Sequence, residues 1–319
     1  PGNTGQVLAL AVSPDGRWLA SAGEDGSIRI WDLDSPDFAA GPAFDLAGHE
    51  GNVTFLAFLP DGRLVSTGED CIIRVWDLTA SAPAANPLLF TETPSPIDGL
   101  AVSPNGRWLA VGSGEQAVVQ VWDLSVADPQ ARTFRLSLRD PEPGFYDLEF
   151  SPDSLYLAAS KGNGVGLWRL SSGAPIEVGQ SAIASLPASN AVGSAASPAR
   201  TLLFSPDSYW LFAGADTGIF WCSVTTMPAC QQMVLRSSGL VYSDYASRAA
   251  MAISSDGDWL AAGYTNGTLK LWDISGGFNR DPILLEGHLG PVTALAFSAD
   301  NHWLASGGGE AADARGQVG

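Results

Sequence analysis

Residues 7–33 read VLALAVSPDGRWLASAGEDGSIRIWDL, and the fold can be worked out from this stretch. It contains three short apolar runs separated by two tight turns. In the turn Ser13-Pro14-Asp15-Gly16, proline presets its φ angle, aspartate binds the nearby backbone and glycine accepts a positive φ angle, so the chain reverses. A second turn at Glu24-Asp25-Gly26 leads into Ile28–Trp31, where alternating side chains are typical of a strand. The stretch therefore predicts three antiparallel β-strands.

The same pattern recurs along the chain, with 45 to 53 residues between successive copies. Its closing tryptophan returns as Trp76, Trp122, Trp168, Trp221 and Trp272, and its turn recurs around Pro60, Pro104, Pro152, Pro206, Ser255 and Ala299. A more variable fourth strand follows each copy, as at Phe44–Leu46. Such a period indicates stacked supersecondary units. Because one small sheet cannot bury its own faces, we expect seven sheets that cover one another around an axis. Their predicted ranges lie near 7–46, 53–90, 97–137, 145–180, 200–236, 248–285 and 292–319.

Composition excludes several classes of protein. Of the 319 residues, 45% are hydrophobic and 16% are charged, which rules out global disorder. Sixteen basic and thirty-four acidic residues give a net charge of −18, which argues against nucleic acid or an anionic membrane as the main partner. No uncharged apolar run reaches the ~18 residues of a membrane span. Three cysteines are too few for a disulfide framework or a four-cysteine zinc site.

Over nearly all of its length the chain resembles the WD-repeat β-propeller family. The resemblance rests on Gly48-His49 and Gly287-His288 before first strands, and on four Trp-Asp pairs at the ends of third strands, Trp31-Asp32, Trp76-Asp77, Trp122-Asp123 and Trp272-Asp273. Trp168-Arg169 and Trp221-Cys222 depart from this pattern. The resemblance implies an all-β fold, a seven-bladed β-propeller of four-stranded antiparallel blades. We expect the seventh blade to be incomplete in this chain, because Arg315–Gly319 aligns with Asp25–Arg29.

The repeats also suggest a wider setting. Their regular copies, with fourteen Arg and two Lys, resemble those of bacterial multidomain proteins, so we expect a single propeller over residues 1–319 that is covalently linked to further domains. Residues 181–198 are rich in Ala, Ser and Gly and predict a flexible insertion. The expected compartment is the cytoplasm, although a signal peptide upstream of Pro1 stays open.

Three residues of the second repeat suggest a catalytic site. His49, Ser66 and Asp70 are the residue types of a hydrolase triad. The family resemblance implies instead that these three and Trp76 form a buried hydrogen-bonded tetrad, which fixes one arrangement of the strands. We therefore predict a structural role, no catalytic residues and no enzyme activity.

The remaining chemistry-bearing residues give no cofactor or metal signature. His302 lies beside a turn and has no metal-ligand spacing to the two loop histidines. Cys222 and Cys230 could face each other across a hairpin, so a disulfide and two reduced thiols both remain open. Cys71 occupies the turn position of Gly26 and is expected to be exposed. The sequence therefore predicts no cofactor and no metal.

The acidic charge follows the repeat. Glu24, Glu69 and Glu115 fall in equivalent turns between second and third strands, and the resemblance places these turns on the same face as the loops before the first strands. That face gives a candidate partner-binding rim, whose members are Glu24, Phe55, Glu69, Asp98, Glu115, Tyr146 and Arg248. Such a rim could receive a protein or a basic peptide, steered by charge and anchored by aromatic side chains. The alternative is a solvated surface that keeps the protein soluble.

Three functions follow from these observations. The resemblance implies a platform for protein–protein interaction, and the favoured form is the sensor or docking module of a larger signalling protein. The second is a structural scaffold subunit of a multiprotein assembly. The third is an enzyme that uses the axial channel, for which the sequence offers no set of convergent titratable groups.

Overall fold

The computed structural model of the chain describes residues 3–37, 41–80, 82–138, 145–162, 164–171, 173–182, 199–215, 218–225, 250–264, 266–277 and 280–308. Apart from one short 3-10 helix at Pro129–Ala131, every regular element among these residues is a β-strand. The chain forms two compact units, Pro1–Lys161 with Trp168–Ile176, and Gly162–Leu167 with Glu177–Gly319. No helix in the described part of the chain has the length and apolarity needed to cross a membrane.

Three complete sheets lie in the first unit, each with its four strands in sequence order. Sheet 1 holds β1 (Val7–Val12), β2 (Trp18–Gly23), β3 (Ile28–Asp32) and β4 (Phe44–Leu46). Sheet 2 holds β5 (Val53–Phe58), β6 (Leu64–Gly68), β7 (Ile73–Trp76) and β8 (Leu88–Phe90). Sheet 3 holds β9 (Gly99–Val102), β10 (Trp108–Ser113), β11 (Val118–Asp123) and β12 (Thr133–Ser137).

Four further sheets follow along the chain. Sheet 4 holds β13 (Phe145–Phe150), β14 (Tyr156–Lys161), β15 (Gly164–Arg169) and β16 (Ile176–Ala182), which are divided between the residue ranges of the two units. Sheet 5 holds β17 (Ala199–Phe204), β18 (Trp210–Ala215) and β19 (Gly218–Ser223). Sheet 6 holds β20 (Met251–Ile253), β21 (Trp259–Gly263), β22 (Leu269–Asp273) and β23 (Ile283–Leu285). Sheet 7 holds β24 (Val292–Phe297) and β25 (Leu304–Gly308).

The predicted fold class, a seven-bladed β-propeller of antiparallel sheets, is confirmed. In the described residues sheet 5 has three strands and sheet 7 has two. The predicted blade ranges stay predictions as domain boundaries. The predicted insertion at 181–198 lies outside the described residues except for 181 and 182, which end β16.

The core of the first unit is built between successive sheets. Ile28 and Ile30 of sheet 1 pack in one cluster with Leu64 and Trp76 of sheet 2, and all four are fully buried. Sheet 2 presents Ile73 and Val75 to Leu109 and Trp122 of sheet 3 in the same way. Each sheet therefore buries one face against the next, as its alternating apolar residues require.

The repeated Ser-Pro-Asp-Gly turn is closed by its own side chains. In sheet 1, the Ser13 hydroxyl accepts a hydrogen bond from the Trp18 N–H at 2.8 Å, and the Asp15 carboxylate accepts one from the Arg17 N–H at 3.1 Å. Gly16 has a φ angle of 75°, which glycine adopts without strain. These bonds satisfy the turn locally, so the pattern can recur in sheets whose other residues differ.

The strand register corrects one alignment made from the sequence. The closing tryptophans Trp31, Trp76, Trp122 and Trp272 pair with Leu19, Leu64, Leu109 and Leu260 of the preceding strands. In sheet 5 the residue opposite the equivalent Leu211 is Cys222, and Trp221 lies opposite Phe212. Trp221 therefore occupies the position of Ile30 and faces the other side of its sheet. The sequence pattern missed this shift because Trp221 lies only one residue before the expected position, which Cys222 occupies.

Candidate functional site

The structure brings the four predicted tetrad residues of sheet 2 together. His49 lies in the loop before β5, Ser66 on β6, Asp70 in the turn after it, and Trp76 at the end of β7. The His49 Nδ1 atom lies 3.0 Å from the Asp70 carboxylate and its Nε2 lies 2.8 Å from the Ser66 hydroxyl, which accepts a 2.8 Å hydrogen bond from the Trp76 indole N–H. In the tautomer that carries its proton on Nδ1, Nδ1–H donates to Asp70 and Nε2 accepts from the Ser66 hydroxyl.

This geometry opposes the hydrolase interpretation. Ser66 and Trp76 are fully buried, and the side chains of His49 and Asp70 are only 1% and 7% exposed. The Ser66 hydroxyl already has two partners within the protein. A nucleophile must reach a substrate carbonyl, so a serine enclosed in this way cannot attack one.

Arg74 joins the tetrad as a fifth member that the sequence analysis did not name. Its guanidinium donates to the Asp70 carboxylate at 2.7 Å and to the Gly48 carbonyl oxygen at 2.6 Å. Arg29 makes the same contact with Asp25 in sheet 1, at 2.8 Å. The signal was available in the sequence, because in both repeats the arginine follows the turn aspartate by four residues.

The environment shifts the titration of the pair inside the tetrad. Burial lowers the pKa of His49, because the protonated imidazole would lose its hydration. Burial would raise the pKa of Asp70, but hydrogen bonds from His49 and from the backbone N–H groups of Ile72 and Glu50 hold that pKa below its ordinary value. The folded protein therefore keeps a neutral His49 beside an ionised Asp70.

Partial versions of the tetrad occur in two other sheets. In sheet 1 the Ser21 hydroxyl accepts from the Trp31 indole N–H at 3.0 Å and donates to Asn3 at 3.0 Å, so asparagine replaces histidine. In sheet 7 the His288 Nε2 atom lies 2.8 Å from the Ser306 hydroxyl. Sheet 6 has Ala262 at the serine position, and among the residues that the structure describes the buried Trp272 indole N–H has no hydrogen-bond partner.

The remaining titratable residues do not converge. The side chain of His302 is 77% exposed and lies beside Asp300 in its own turn. Cys71 has a φ angle of 54° and is half-buried, with its thiol donating to the Ser95 hydroxyl at 3.1 Å. Cys222 is half-buried, and Cys230 lies outside the described residues. Among the residues that the structure describes, no three His, Cys, Asp or Glu side chains are grouped as metal ligands.

The candidate rim is one continuous surface across sheets 1 to 3. The turn of sheet 1 meets the loop before sheet 2 at Gly26, where a Cβ atom would lie 2.9 Å from the Gly51 carbonyl oxygen. The turn of sheet 2 meets the loop before sheet 3 through Cys71, whose carbonyl oxygen accepts from the Thr93 hydroxyl. The turn of sheet 3 follows, because the Gln116 side-chain amide donates to the Ser95 carbonyl oxygen at 3.2 Å.

Three acidic side chains are exposed on this surface, one in each of the three turns between second and third strands. Two of them also hold the neighbouring loop: Glu24 accepts from the Gln6 N–H at 3.0 Å, and Glu69 accepts from the Asn52 backbone and side-chain N–H groups at 3.2 and 3.0 Å. Glu115 is exposed in the third turn. The carboxylates of Glu24 and Glu69 are therefore oriented by the backbone while they still face solvent.

The other predicted rim residues differ in their surroundings. Phe55 is half-buried on β5, opposite Thr67. Asp98 is half-buried and accepts from the Gly114 N–H at 2.8 Å, so its carboxylate closes the loop of sheet 3. Tyr146 belongs to β13, and its side chain lies outside the described part of the structure. Arg248 also lies outside the described residues.

Comparisons with known proteins return short matches to eukaryotic WD-type proteins. The chain is 38% identical over 107 residues to the WD repeat-containing protein SL1-17 of Schistosoma mansoni, which covers 33% of the chain and 32% of that protein. It is 51% identical over 55 residues to the U3 snoRNP-associated protein-like YAOH of Oryza sativa subsp. japonica, covering 17% of the chain and 10% of that protein. It is 45% identical over 56 residues to the probable cytosolic iron-sulfur protein assembly protein 1 of Cryptococcus neoformans var. neoformans, covering 17% and 13%.

The matched stretches thus span at most about a third of these relatives, and the eukaryotic matches give no support to the expected likeness to bacterial repeats. The protein family described as "WD domain, G-beta repeat" matches five segments of the chain, which together make up just over half of it. They are residues 1–32, 41–77, 87–123, 246–273 and 282–313. These segments contain the closing tryptophans of sheets 1, 2, 3 and 6 and the two Gly-His loops. The chain therefore belongs to the WD domain, G-beta repeat family.

Proposed function

We propose that the chain is a non-catalytic platform for protein–protein interaction, and that its acidic rim binds a basic segment of a partner protein. The observation that carries the proposal is the continuous row of exposed carboxylates at Glu24, Glu69 and Glu115, on equivalent turns of three neighbouring sheets. Together they present negative charge on the turns of three neighbouring sheets.

Charge favours a basic partner at this surface. The net charge of −18 steers positively charged segments toward the molecule and raises their rate of encounter. Charge alone gives little affinity, so an apolar contact is also needed. Phe55, half-buried on β5, is proposed to supply that contact for an aliphatic or aromatic side chain of the partner.

The wider role of the platform is proposed in two forms. One is a docking or sensor module of a larger cytoplasmic signalling protein, which rests on the repeat pattern alone. The alternative is a scaffold subunit of a multiprotein assembly. The names of two relatives, the U3 snoRNP-associated protein-like YAOH of rice and the iron-sulfur protein assembly protein of Cryptococcus, favour this form.

The rim can be tested with a peptide library. Immobilised arginine- and lysine-rich peptides, some with one aromatic residue, would be screened against the protein and against the triple variant Glu24→Gln, Glu69→Gln, Glu115→Gln. The matched control removes three acidic residues at the opposite strand ends, Asp34→Asn, Asp37→Asn and Asp61→Asn, all of which are exposed.

We expect basic peptides to bind with an affinity that falls as salt rises, and the rim variant to lose about tenfold while the control keeps binding. Equal losses in both triple variants would show non-specific attraction to the net charge and would overturn the rim. To separate the two wider roles, the protein would be isolated from its native source: stoichiometric co-purification with other subunits favours the scaffold, and a polypeptide with an attached effector domain favours the docking module.

A further inference from the structure

Two Asn-Gly pairs lie in turns that the structure describes, Asn105-Gly106 and Asn266-Gly267. An asparagine before glycine is prone to deamidation, because glycine has no side chain to keep its backbone nitrogen away from the asparagine side-chain carbonyl. The reaction converts the amide into a carboxylate. Comparison with the other sheets shows that the new carboxylate would find a cation in one of these turns and none in the other.

The turn of sheet 6 has the geometry of the turns that carry Asp25 and Asp70. The Asn266 Oδ1 atom accepts a hydrogen bond from the backbone N–H two residues later, at 3.0 Å. In sheets 1 and 2 the Oδ1 atoms of Asp25 and Asp70 accept from the same backbone position, each at 3.2 Å. Gly267 has a φ angle of 81°, and Gly26 has one of 69°. The Asn266 Nδ2 atom therefore takes the place of the second carboxylate oxygen, Oδ2, of the two aspartates.

The second carboxylate oxygen binds a cation in sheets 1 and 2. It accepts from Arg29 at 2.8 Å and from Arg74 at 2.7 Å. Lys270 holds the position of these arginines in sheet 6, because it also follows the turn residue by four and lies opposite the same place on the second strand. The Asn266 amide thus presents a donor where the cations of the other sheets find an acceptor.

Lys270 is buried without a counter-charge. The residue is only 5% exposed, and among the described residues its ammonium group lies 5.2 Å from the Tyr264 ring centroid and pairs with no carboxylate. Burial raises the pKa of Tyr264 to about 12, so the phenol stays neutral beside the ammonium group. Burial lowers the pKa of Lys270, because its charged form has lost hydration. A carboxylate at the turn would give this buried charge a partner.

We propose that Asn266 is a modification site, at which deamidation produces an aspartate that pairs with Lys270. The backbone nitrogen of Gly267 loses its proton and attacks the Asn266 Cγ atom. The Cγ–Nδ2 bond then breaks, and ammonia leaves with that proton, which gives a cyclic succinimide. Water adds to Cγ, the new bond between Cγ and the Gly267 nitrogen breaks, and the nitrogen regains a proton. Water is thus exchanged for ammonia, and no oxidant or reductant is needed.

The folded turn favours one of the two products that a succinimide can give. Water that attacks the backbone carbonyl carbon instead of Cγ yields isoaspartate, which lengthens the backbone by a methylene group. The turn has no room for this, since a Cβ atom on Gly267 would already lie 2.3 Å from the His288 carbonyl oxygen. Aspartate keeps the backbone unchanged and places an oxygen where the amide nitrogen was. Only this product therefore restores the folded turn together with its ion pair.

The same contacts set the pace and the consequence of the reaction. The Gly267 N–H donates to the Tyr264 carbonyl oxygen at 3.2 Å, so the turn must open before its nitrogen can attack. Each turn that reacts then closes with an aspartate beside Lys270. The modification therefore strengthens sheet 6 as the protein ages. It is independent of the acidic rim, which lies on sheets 1 to 3.

The Asn-Gly pair of sheet 3 supplies the matched control. The Asn105 Oδ1 atom accepts from the Arg107 N–H at 3.0 Å, which closes a turn between first and second strands. The Arg107 guanidinium is already bound to the Asp123 carboxylate, at 2.8 Å. A carboxylate at position 105 therefore gains no buried cation that lacks a partner. Asn105→Asp makes the same chemical change as Asn266→Asp without a new ion pair.

Urea unfolding of the whole chain tests the ion pair. Asn266→Asp should lower the equilibrium constant for unfolding about tenfold or more, as a hydrogen bond to a charged group does. Asn105→Asp should change it by less than about threefold. In Lys270→Met, which keeps an unbranched side chain and removes the charge, Asn266→Asp should bring no gain. No gain in the unmodified background, or an equal gain with Met at position 270, would overturn the proposal.

Ageing of the unmodified chain tests the reaction itself. The folded protein would be kept in mildly alkaline buffer and sampled over weeks, and its peptides would be analysed by mass spectrometry. A protease that cleaves before aspartate but not before isoaspartate identifies the product. We expect aspartate to accumulate at position 266 and the urea midpoint of the aged protein to rise, while the midpoint of aged Asn266→Gln stays constant. An amide that persists at Asn266, or isoaspartate as the main product, would overturn the proposal.

Discussion

A single hydroxyl group, that of Ser66, holds the second sheet's network together. It bonds to His49 and Trp76, which are both buried. In Ser66→Ala the imidazole and the indole N–H each lose a partner without gaining water. We expect a loss of about 1–3 kcal/mol in the free energy of unfolding. Urea unfolding followed by tryptophan fluorescence measures this loss, and Ser306→Ala, at the exposed equivalent position, serves as the control with a smaller effect. A loss in Ser66→Ala no larger than that of the control would contradict the structural role of the tetrad.

In sheet 6 a hydroxyl can be added where one is removed in Ser66→Ala. Within the described part of the chain the Trp272 N–H has no partner, because alanine occupies the serine position. Ala262→Ser places a hydroxyl where Ser21 and Ser66 lie in sheets 1 and 2. We expect a gain of about 1 kcal/mol in the free energy of unfolding. Ala261→Ser, which faces the other side of the same strand, should destabilise the protein because it buries a hydroxyl away from the indole. Equal effects of the two substitutions would contradict the repeat-based geometry.

Acid should destabilise the protein in two steps. His49 has a lowered pKa, so below its ordinary value of 6.5 the unfolded chain binds a proton that the folded protein refuses, and stability falls. Asp25 and Asp123 have pKa values of about 2, against an ordinary value of 3.8. Burial opposes this lowering, but hydrogen bonds from Thr4, Ser27 and Arg29 to Asp25, and from Arg107 and Ser125 to Asp123, outweigh it. Their contribution is complete above pH 3.8 and is lost as the pH falls toward 2.

Urea midpoints measured from pH 7.5 to 2.5 would show both steps. Asp123→Asn should flatten the lower one, because its amide no longer titrates, and His49→Gln should remove the upper one. A stability that stays constant from pH 7.5 to 5 in the unmodified protein would contradict the assignment of His49 as a buried neutral imidazole.

At the scale of single elements, β19 shows how one residue of register changes a side chain's role. Trp221 is 5% exposed and packs with Phe212 and Leu260, and Cys222 is half-buried on the other side of the strand. Trp221→Ala should cost about 3–5 kcal/mol through the cavity it leaves, and Cys222→Ala should cost less. Thermal unfolding of the two variants gives the comparison. A larger loss for Cys222→Ala would restore the alignment that placed Trp221 among the closing tryptophans.

The rim shows the same dependence on neighbouring elements. Glu24 and Glu69 were recognisable from the sequence as members of equivalent turns. Their bonds to Gln6 and Asn52 were not, because the loop and the turn are separated by seventeen or eighteen residues. An acidic residue in a turn is therefore visible in the sequence, and its orientation depends on what the preceding loop offers.

At the scale of the whole molecule, the two lysines of the chain are buried, so the exposed positively charged side chains are arginines. The chain has only two lysines, and Lys161 and Lys270 are 4% and 5% exposed. An amine-reactive ester should therefore leave both lysines unlabelled in the native protein and label both after unfolding in urea. Mass spectrometry of the digested protein shows which lysines have reacted. Rapid labelling of either lysine under native conditions would contradict the burial that the structure assigns to it.

From the sequence alone one obtains the strand pattern, the seven-fold repeat and the family, because turns such as Ser13–Gly16 and pairs such as Trp31-Asp32 are local and recur at a steady period. The same regularity identifies the His49, Ser66, Asp70 and Trp76 set as candidates. Contacts between side chains that are far apart in the sequence leave no local pattern of this kind. The hydrogen bond from Arg74 to the carbonyl oxygen of Gly48, and the register that separates Trp221 from Cys222, appear only when the strands are paired and packed. The physical reason is that the periodicity of a sequence shows which side chains face a neighbouring strand or sheet. Burial and hydrogen bonding depend in addition on whether that strand or sheet is present and on which side chains it contributes.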